Sequence, residues 1–220
     1  MAARWPDSEL PLFAEKRIND PSAALKLLAE EARGCTRCDL YKHATQTVFG
    51  EGPADAHMML VGEQPGDQED LTGRPFVGPA GKVLDAALEA AGIKRSGVYI
   101  TNAVKHFKNE PRGKRRLHKK PDTSEIDICR FWLDHEIEIV RPRIVVALGA
   151  TAARGLMRKS LTINANRGRV ITLPSGLPGL ITVHPSYLLR IEEERDKRRE
   201  FGLLVKDLRL AQEASSHARD

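Results

Sequence analysis

Apolar residues fall along this chain in two rhythms, and the two alternate. Compact runs at 58–61, 98–101, 143–149, 170–173 and 180–183 have the length and the Val/Ile/Leu content of strands. The run at 143–149, RIVVALG, is continuous, as a strand covered on both faces requires. Between these runs the apolar spacing widens to that of helices. Asp20-Pro21 opens the first helix, with Ala24, Leu27, Leu28 and Ala32 as its face and Gly34 as its stop. A second begins after Pro79. Asp122 and Glu125 form a capping box for a third, whose face is Cys129, Trp132, Leu133, Ile137 and Val140. A short helix is predicted at 151–157, and a charged one at 192–209 with Phe201, Leu204, Val205 and Leu208 as its stripe. The alternation predicts one α/β domain over residues 1–220, with 1–16 and 212–220 as loosely ordered extensions. The chain has no internal repeat and no low-complexity segment.

Two stretches follow neither rhythm. Residues 61–82, VGEQPGDQEDLTGRPFVGPAGK, leave a strand at Gly62 and enter a helix after Pro79. A long loop at the carboxyl edge of a strand is where α/β proteins bind ligands. This one holds carboxylates at Glu63, Asp67, Glu69 and Asp70, an amide at Gln64 and an aromatic ring at Phe76. The other stretch, 107–121, reads FKNEPRGKRRLHKKP and is predicted to be an exposed basic loop.

Composition narrows the choice of partner. A net charge of +5 favours a polyanion only weakly, but the crowding of Arg112, Lys114, Arg115, Arg116, Lys119 and Lys120 favours it more. No apolar run reaches membrane-spanning length and no signal-peptide core is evident near the N-terminus, so a cytoplasmic protein without a membrane partner is expected, and a monomer. Three cysteines argue against a disulfide framework. Cys35 and Cys38 form a CxxC that follows a helix and precedes a loop, the context of a metal clip rather than of a redox pair. Cys129 is then the third ligand, and a histidine is the natural fourth, His43 being one candidate.

GEQPGDQEDLTGRPFVGPAGK resembles the first signature of the uracil-DNA glycosylase superfamily, in particular its iron–sulfur branch, and His184-Pro185-Ser186 resembles the second. GEQPG together with a basic loop ending in histidine resembles the UdgX subfamily. The resemblance covers most of the chain from Cys35 to Arg190. It implies a three-layer α/β/α fold with a central, mostly parallel four-stranded sheet. It also implies uracil-containing DNA, single- or double-stranded, as the partner. In the iron–sulfur branch a T-N-x-V-K-C segment supplies a cluster ligand. Here Thr101-Asn102-Ala103-Val104-Lys105-His106 puts histidine at that cysteine's place. The resemblance therefore implies a [4Fe-4S] cluster on Cys35, Cys38, His106 and Cys129, although three cysteines and one histidine also describe a structural zinc site.

Such a protein must draw the base out of the DNA stack into a pocket. Phe76 can be the platform, and the Asn102 amide can pair with N3 and O4 of uracil. Backbone amides around Gln64 and the His184 side chain can meet O2, where charge collects as the glycosidic bond breaks. The resemblance to UdgX implies that His118, the last histidine of the basic loop, bonds to C1′ of the abasic sugar, with Glu63 taking up the imidazole proton. Lys114, Arg115, Arg116, Lys119 and Arg190 are the expected phosphate contacts. Two alternatives stand beside this: a turnover glycosylase in which Glu63, Gln64 or Asp67 positions water, and a non-enzymatic iron–sulfur protein that senses DNA damage.

Overall fold

The computed structural model describes residues 20–113 and 115–217. The first predicted extension, residues 1–16, lies wholly outside these, and Lys114 lies outside them too. In chain order the elements are α1 (Pro21–Arg33), β1 (Met58–Gly62), α2 (Asp67–Thr72), α3 (Pro79–Ala91), β2 (Tyr99–Asn102), β3 (Asn109–Arg112), β4 (Arg115–His118), α4 (Thr123–Val140), β5 (Ile144–Leu148), α5 (Ala150–Met157), α6 (Ile163–Asn166), β6 (Val170–Thr172), β7 (Pro178–Thr182), α7 (Pro185–Leu188) and α8 (Glu194–His217).

The main sheet runs β2-β1-β5-β7-β6. Strands β2, β1, β5 and β7 are parallel, and β6 closes one edge antiparallel to β7. The sheet thus has five strands rather than the expected four. The extra strand follows from the turn-rich segment after Thr172, which returns the chain beside its own predecessor. The other correction is larger. Residues 107–121 are not an irregular loop but carry the two-stranded antiparallel ribbon β3–β4, in which Asn109 faces His118 and Arg112 faces Arg115. Its turn opens at Gly113 with φ +60°, a conformation that suits glycine and the tight hairpin turns. The last helix also runs to His217, past the Gln212 at which a loose tail is expected.

Alternation along the buried strands builds two cores. Met58, Leu60, Ile100, Ile144, Val146, Leu148 and Leu180 face α3 and α8, meeting Leu84, Leu88, Leu204 and Leu208. Met59, Val61, Tyr99, Val145, Ala147 and Ile181 face the other way, against Leu133, Val140, Ala152 and Ala153 of α4 and α5. Both faces of the sheet are therefore covered by helices, a three-layer α/β/α arrangement. A third cluster, beneath the second, joins α1 to α4 through Leu28, Ala32, Ile126 and Trp132. Leu25 rather than Leu27 completes the buried face of α1.

Candidate active site

The chain leaves β1 towards β2 on one side and later fills β5 and β7 on the other. The strand order therefore reverses between β1 and β5, which is the position where open α/β sheets form a crevice. A cleft of about 1120 Å³ lies there, and Glu63, Phe76, Asn102, His118, Gly149 and His184 are in its wall. Read across the sheet, Asn102 comes from the end of β2, Glu63 from just past β1, Gly149 from just past β5 and His184 from just past β7.

Asn102 and Phe76 meet over Gly62. A Cβ on Gly62 would overlap both Asn102 Oδ1 and the Phe76 ring, so only glycine lets the two approach. Asn102 is 2% exposed, yet its Oδ1 has no hydrogen-bond partner among the described residues. An unpaired buried amide oxygen is costly, and its partner is expected from a ligand. Phe76 has φ +55°, a strained backbone for a bulky residue. The conformation is accommodated at Gly81, whose missing Cβ makes room for the Phe76 carbonyl. The Phe76 ring lies 5.8 Å from that of His184, tilted by 33°.

The loop holding Phe76 is ordered from within. Glu69 accepts from Gly66 N at 3.1 Å and from Gly78 N at 2.8 Å, which pins both ends of the segment and nucleates α2 inside it. That helix is absent from the sequence reading, because six residues give too little periodicity.

His184 caps α7. Its Nδ1 accepts from Ser186 N at 3.2 Å and lies 2.8 Å from Ser186 Oγ, which itself accepts from Arg190 Nη1 at 3.3 Å. With Nδ1 the acceptor, the ring proton belongs on Nε2. Burial, reinforced by His118 and Arg190, pushes the His184 pKa down to about 4. This histidine is a neutral donor over the whole physiological range.

His118 ends β4 and reaches the rim of the same cleft, half exposed, with its Nε2 3.4 Å from Glu63 Oε1. The other carboxylate oxygen of Glu63 accepts from the Thr151 hydroxyl. The ribbon is fixed in place at several points. Gln64 Nε2 donates to Lys119 O at 3.0 Å and to Lys108 O at 3.3 Å, and Gln64 Oε1 accepts from Lys108 N at 3.0 Å. The Gln64 side chain is thus fully engaged at the base of the ribbon, which leaves its backbone for the cleft. Arg116 clamps the ribbon to α2. Its Nε donates to Asp67 Oδ1 at 2.7 Å and its Nη1 to buried Asp70 at 2.5 Å.

Several basic residues expected on phosphate are therefore occupied otherwise. Arg116 is held by Asp67 and Asp70, and this also removes Asp67 as a free carboxylate for orienting water. Lys119 pairs with Glu110 at 2.5 Å. Arg115 and Arg190 are exposed. Charge counting along the sequence could not separate these cases, because the acidic partners of Arg116 lie 46 and 49 positions away.

The three cysteines gather in the third core. Cys35 and Cys129 are buried there and Cys38 packs against them. Trp132 Nε1 donates to Cys35 Sγ at 3.2 Å and Lys105 N to Cys129 Sγ at 3.1 Å, the outer-shell N–H bonds that metal-bound thiolates use. Burial drives the Cys129 pKa up to about 12, with Cys38 and Cys35 pushing the same way and Lys105 opposing. Three buried or half-buried thiols gathered in this way have the donor chemistry of a metal or cluster site. Among the described residues, however, no three His, Cys, Asp or Glu side chains form a group that could hold a metal ion. His106 is buried beside this region, where burial lowers its pKa and Asp70 opposes the shift.

Comparison with known proteins shows the family to which the chain belongs. A family model described as the uracil DNA glycosylase superfamily matches residues 49–209. The type-4 uracil-DNA glycosylase of Thermotoga maritima is 41% identical over 167 residues, which is 76% of this chain and 83% of the relative. That of Sulfurisphaera tokodaii is 34% identical over 198 residues, covering 83% and 87%. That of Pyrobaculum aerophilum is 37% identical over 175 residues, covering 76% and 85%. The chain belongs to the uracil DNA glycosylase superfamily. Among the described residues no helix is long and apolar enough to cross a membrane.

Proposed function

We propose that this protein excises uracil from DNA and then bonds to the abasic deoxyribose through His118. The observation that carries the reading is the place of His118: a ribbon anchored by Gln64 and Arg116 brings its ring to the rim of the base cleft, beside Glu63. Uracil stacks on Phe76, and the unpaired Asn102 amide binds its edge. Nε2–H of neutral His184 meets O2. As the C1′–N1 bond breaks, its electron pair leaves with uracil, and a donor held at O2 is worth about 10²–10³ in rate. A neutral imidazole nitrogen of His118 then bonds to C1′, and the proton on the ring passes to Glu63. A positioned nitrogen outcompetes water through effective concentration. The C–N bond has no good leaving group, so the adduct persists. Cys35, Cys38, Cys129 and His106 would hold a [4Fe-4S] cluster, whose contribution is to tie α1 to α4 below the ribbon.

The test is a uracil-containing oligonucleotide mixed with the protein and run on a denaturing gel. A band resistant to heat and detergent is expected, and His118→Ala abolishes it. The second reading, a turnover glycosylase, is favoured by the identity to type-4 enzymes. It predicts free abasic DNA without the band. Intact oligonucleotide would leave only a DNA-binding role. For the cluster, a brown protein with broad absorbance near ~400 nm is expected, and a colourless one refutes it.

A further inference from the structure

The two oxygens of Glu63 have different neighbours. Oε1 faces His118 Nε2 at 3.4 Å, and Oε2 takes the hydrogen bond of the Thr151 hydroxyl. Thr151 is 2% exposed and stands in the first turn of α5, directly after the sharp bend at Gly149 (φ +92°). Gly149 N donates to Thr182 O at 2.9 Å, so this bend is tied to the end of β7. Thr151 is thus mounted on a helix start that is hydrogen-bonded to the neighbouring strand. Glu63 lies on the loop just beyond β1, and among the described residues no other hydrogen bond reaches its carboxylate.

We propose that Thr151 is a positioning residue: by fixing one oxygen of Glu63 it aims the other at His118, and so decides how much of the reaction ends as adduct rather than as free abasic DNA. A carboxylate on a loop turns freely about its last bonds. With one oxygen held by a donor on α5, the second has one place to be, and the imidazole proton has a fixed acceptor. In the step served, the His118–C1′ bond forms, C1′–N1 breaks with its electron pair on uracil, and the ring proton moves to Glu63. Thr151 itself is not among the residues that line the cleft. Phe76, Asn102 and His184, which serve uracil departure, make no hydrogen bond to Thr151. This inference rests on the proposed attack by His118.

The experiment measures released uracil and covalent adduct in the same samples for wild type, Thr151→Val and Thr151→Ser, with thermal melts to verify folding. Valine keeps the shape and loses the hydroxyl, whereas serine keeps the hydroxyl. In T151V uracil release is expected to continue while the adduct-to-abasic ratio falls about tenfold, as a small misplacement of a reacting group produces. T151S is expected to restore the ratio. An unchanged ratio in T151V, or T151S failing like T151V with uracil release lost in both, overturns the assignment. A wild type that releases uracil without any adduct overturns the His118 reading and this inference together. Adduct in the wild type with an unaltered T151V ratio removes this inference alone.

Discussion

His184 shows how one residue's surroundings set its chemistry. Two donors at Nδ1 and the loss of solvent hold the ring neutral, with its proton on Nε2. Its folded pKa of about 4 lies below the ordinary 6.5, so the unfolded chain binds the extra proton first as pH falls. The stability due to neutral His184 is therefore fully present above about 6.5 and is lost as pH falls from there to about 4. The ring resonances should titrate near 4, and the stability gap between wild type and His184→Gln in urea should narrow over that range. A ring that titrates between 6 and 7 would contradict the arrangement. His184, Phe76 and Asn102 were legible in the sequence because each stands at a strand end or in a glycine-rich loop. The Thr151–Glu63 contact was not, since 88 positions separate the two and a threonine at a helix start carries no signal of what it faces.

At the scale of elements, the β3–β4 ribbon is the feature the sequence obscured. Its exposed strands lack apolar alternation, and Pro111 inside β3 argues against a strand. The one local cue was Gly113, flanked by residues that pair across a tight turn. The ribbon stays formed because Arg116 reaches a fully buried Asp70, whose carboxylate has, among the described residues, no other donor than Thr45 N at 3.0 and 3.1 Å. Removing the guanidinium leaves a buried charge short of donors. Arg116→Ala should cost about 2–4 kcal/mol, measured by urea denaturation, and should speed proteolysis within the ribbon. Lys119→Ala breaks only an exposed pair and should cost less than about 1 kcal/mol. Equal losses for the two would refute the clamp.

Across the whole molecule, the four parallel strands were readable from composition, because strands buried on both faces are continuous apolar runs. The interior polar wiring was not. Lys105, fully buried, donates from Nζ to Glu136 Oε2 at 2.6 Å, Thr101 Oγ1 at 2.6 Å and Asn102 O at 2.8 Å, while its backbone N bonds Cys129 Sγ. Glu136 also accepts from Tyr99 OH at 3.0 Å and Gly50 N at 2.9 Å. Lys105 is thus the centre of a buried network joining the thiol core to the cleft. Lys105→Met alone should destabilise by about 3–5 kcal/mol in urea, whereas Lys105→Met with Glu136→Leu should recover most of that loss. A double variant as unstable as the single one would show that more than the pair is at stake.

Because the cleft draws one residue from the tip of each parallel strand, no fragment of the polypeptide contains it. Asn102 and Glu63 emerge early in synthesis, but His184 arrives only with β7, near the end. A chain still being made, or one missing its last strand, would hold the ribbon and Asn102 without His184. The complete cleft is in this architecture the final feature acquired during folding.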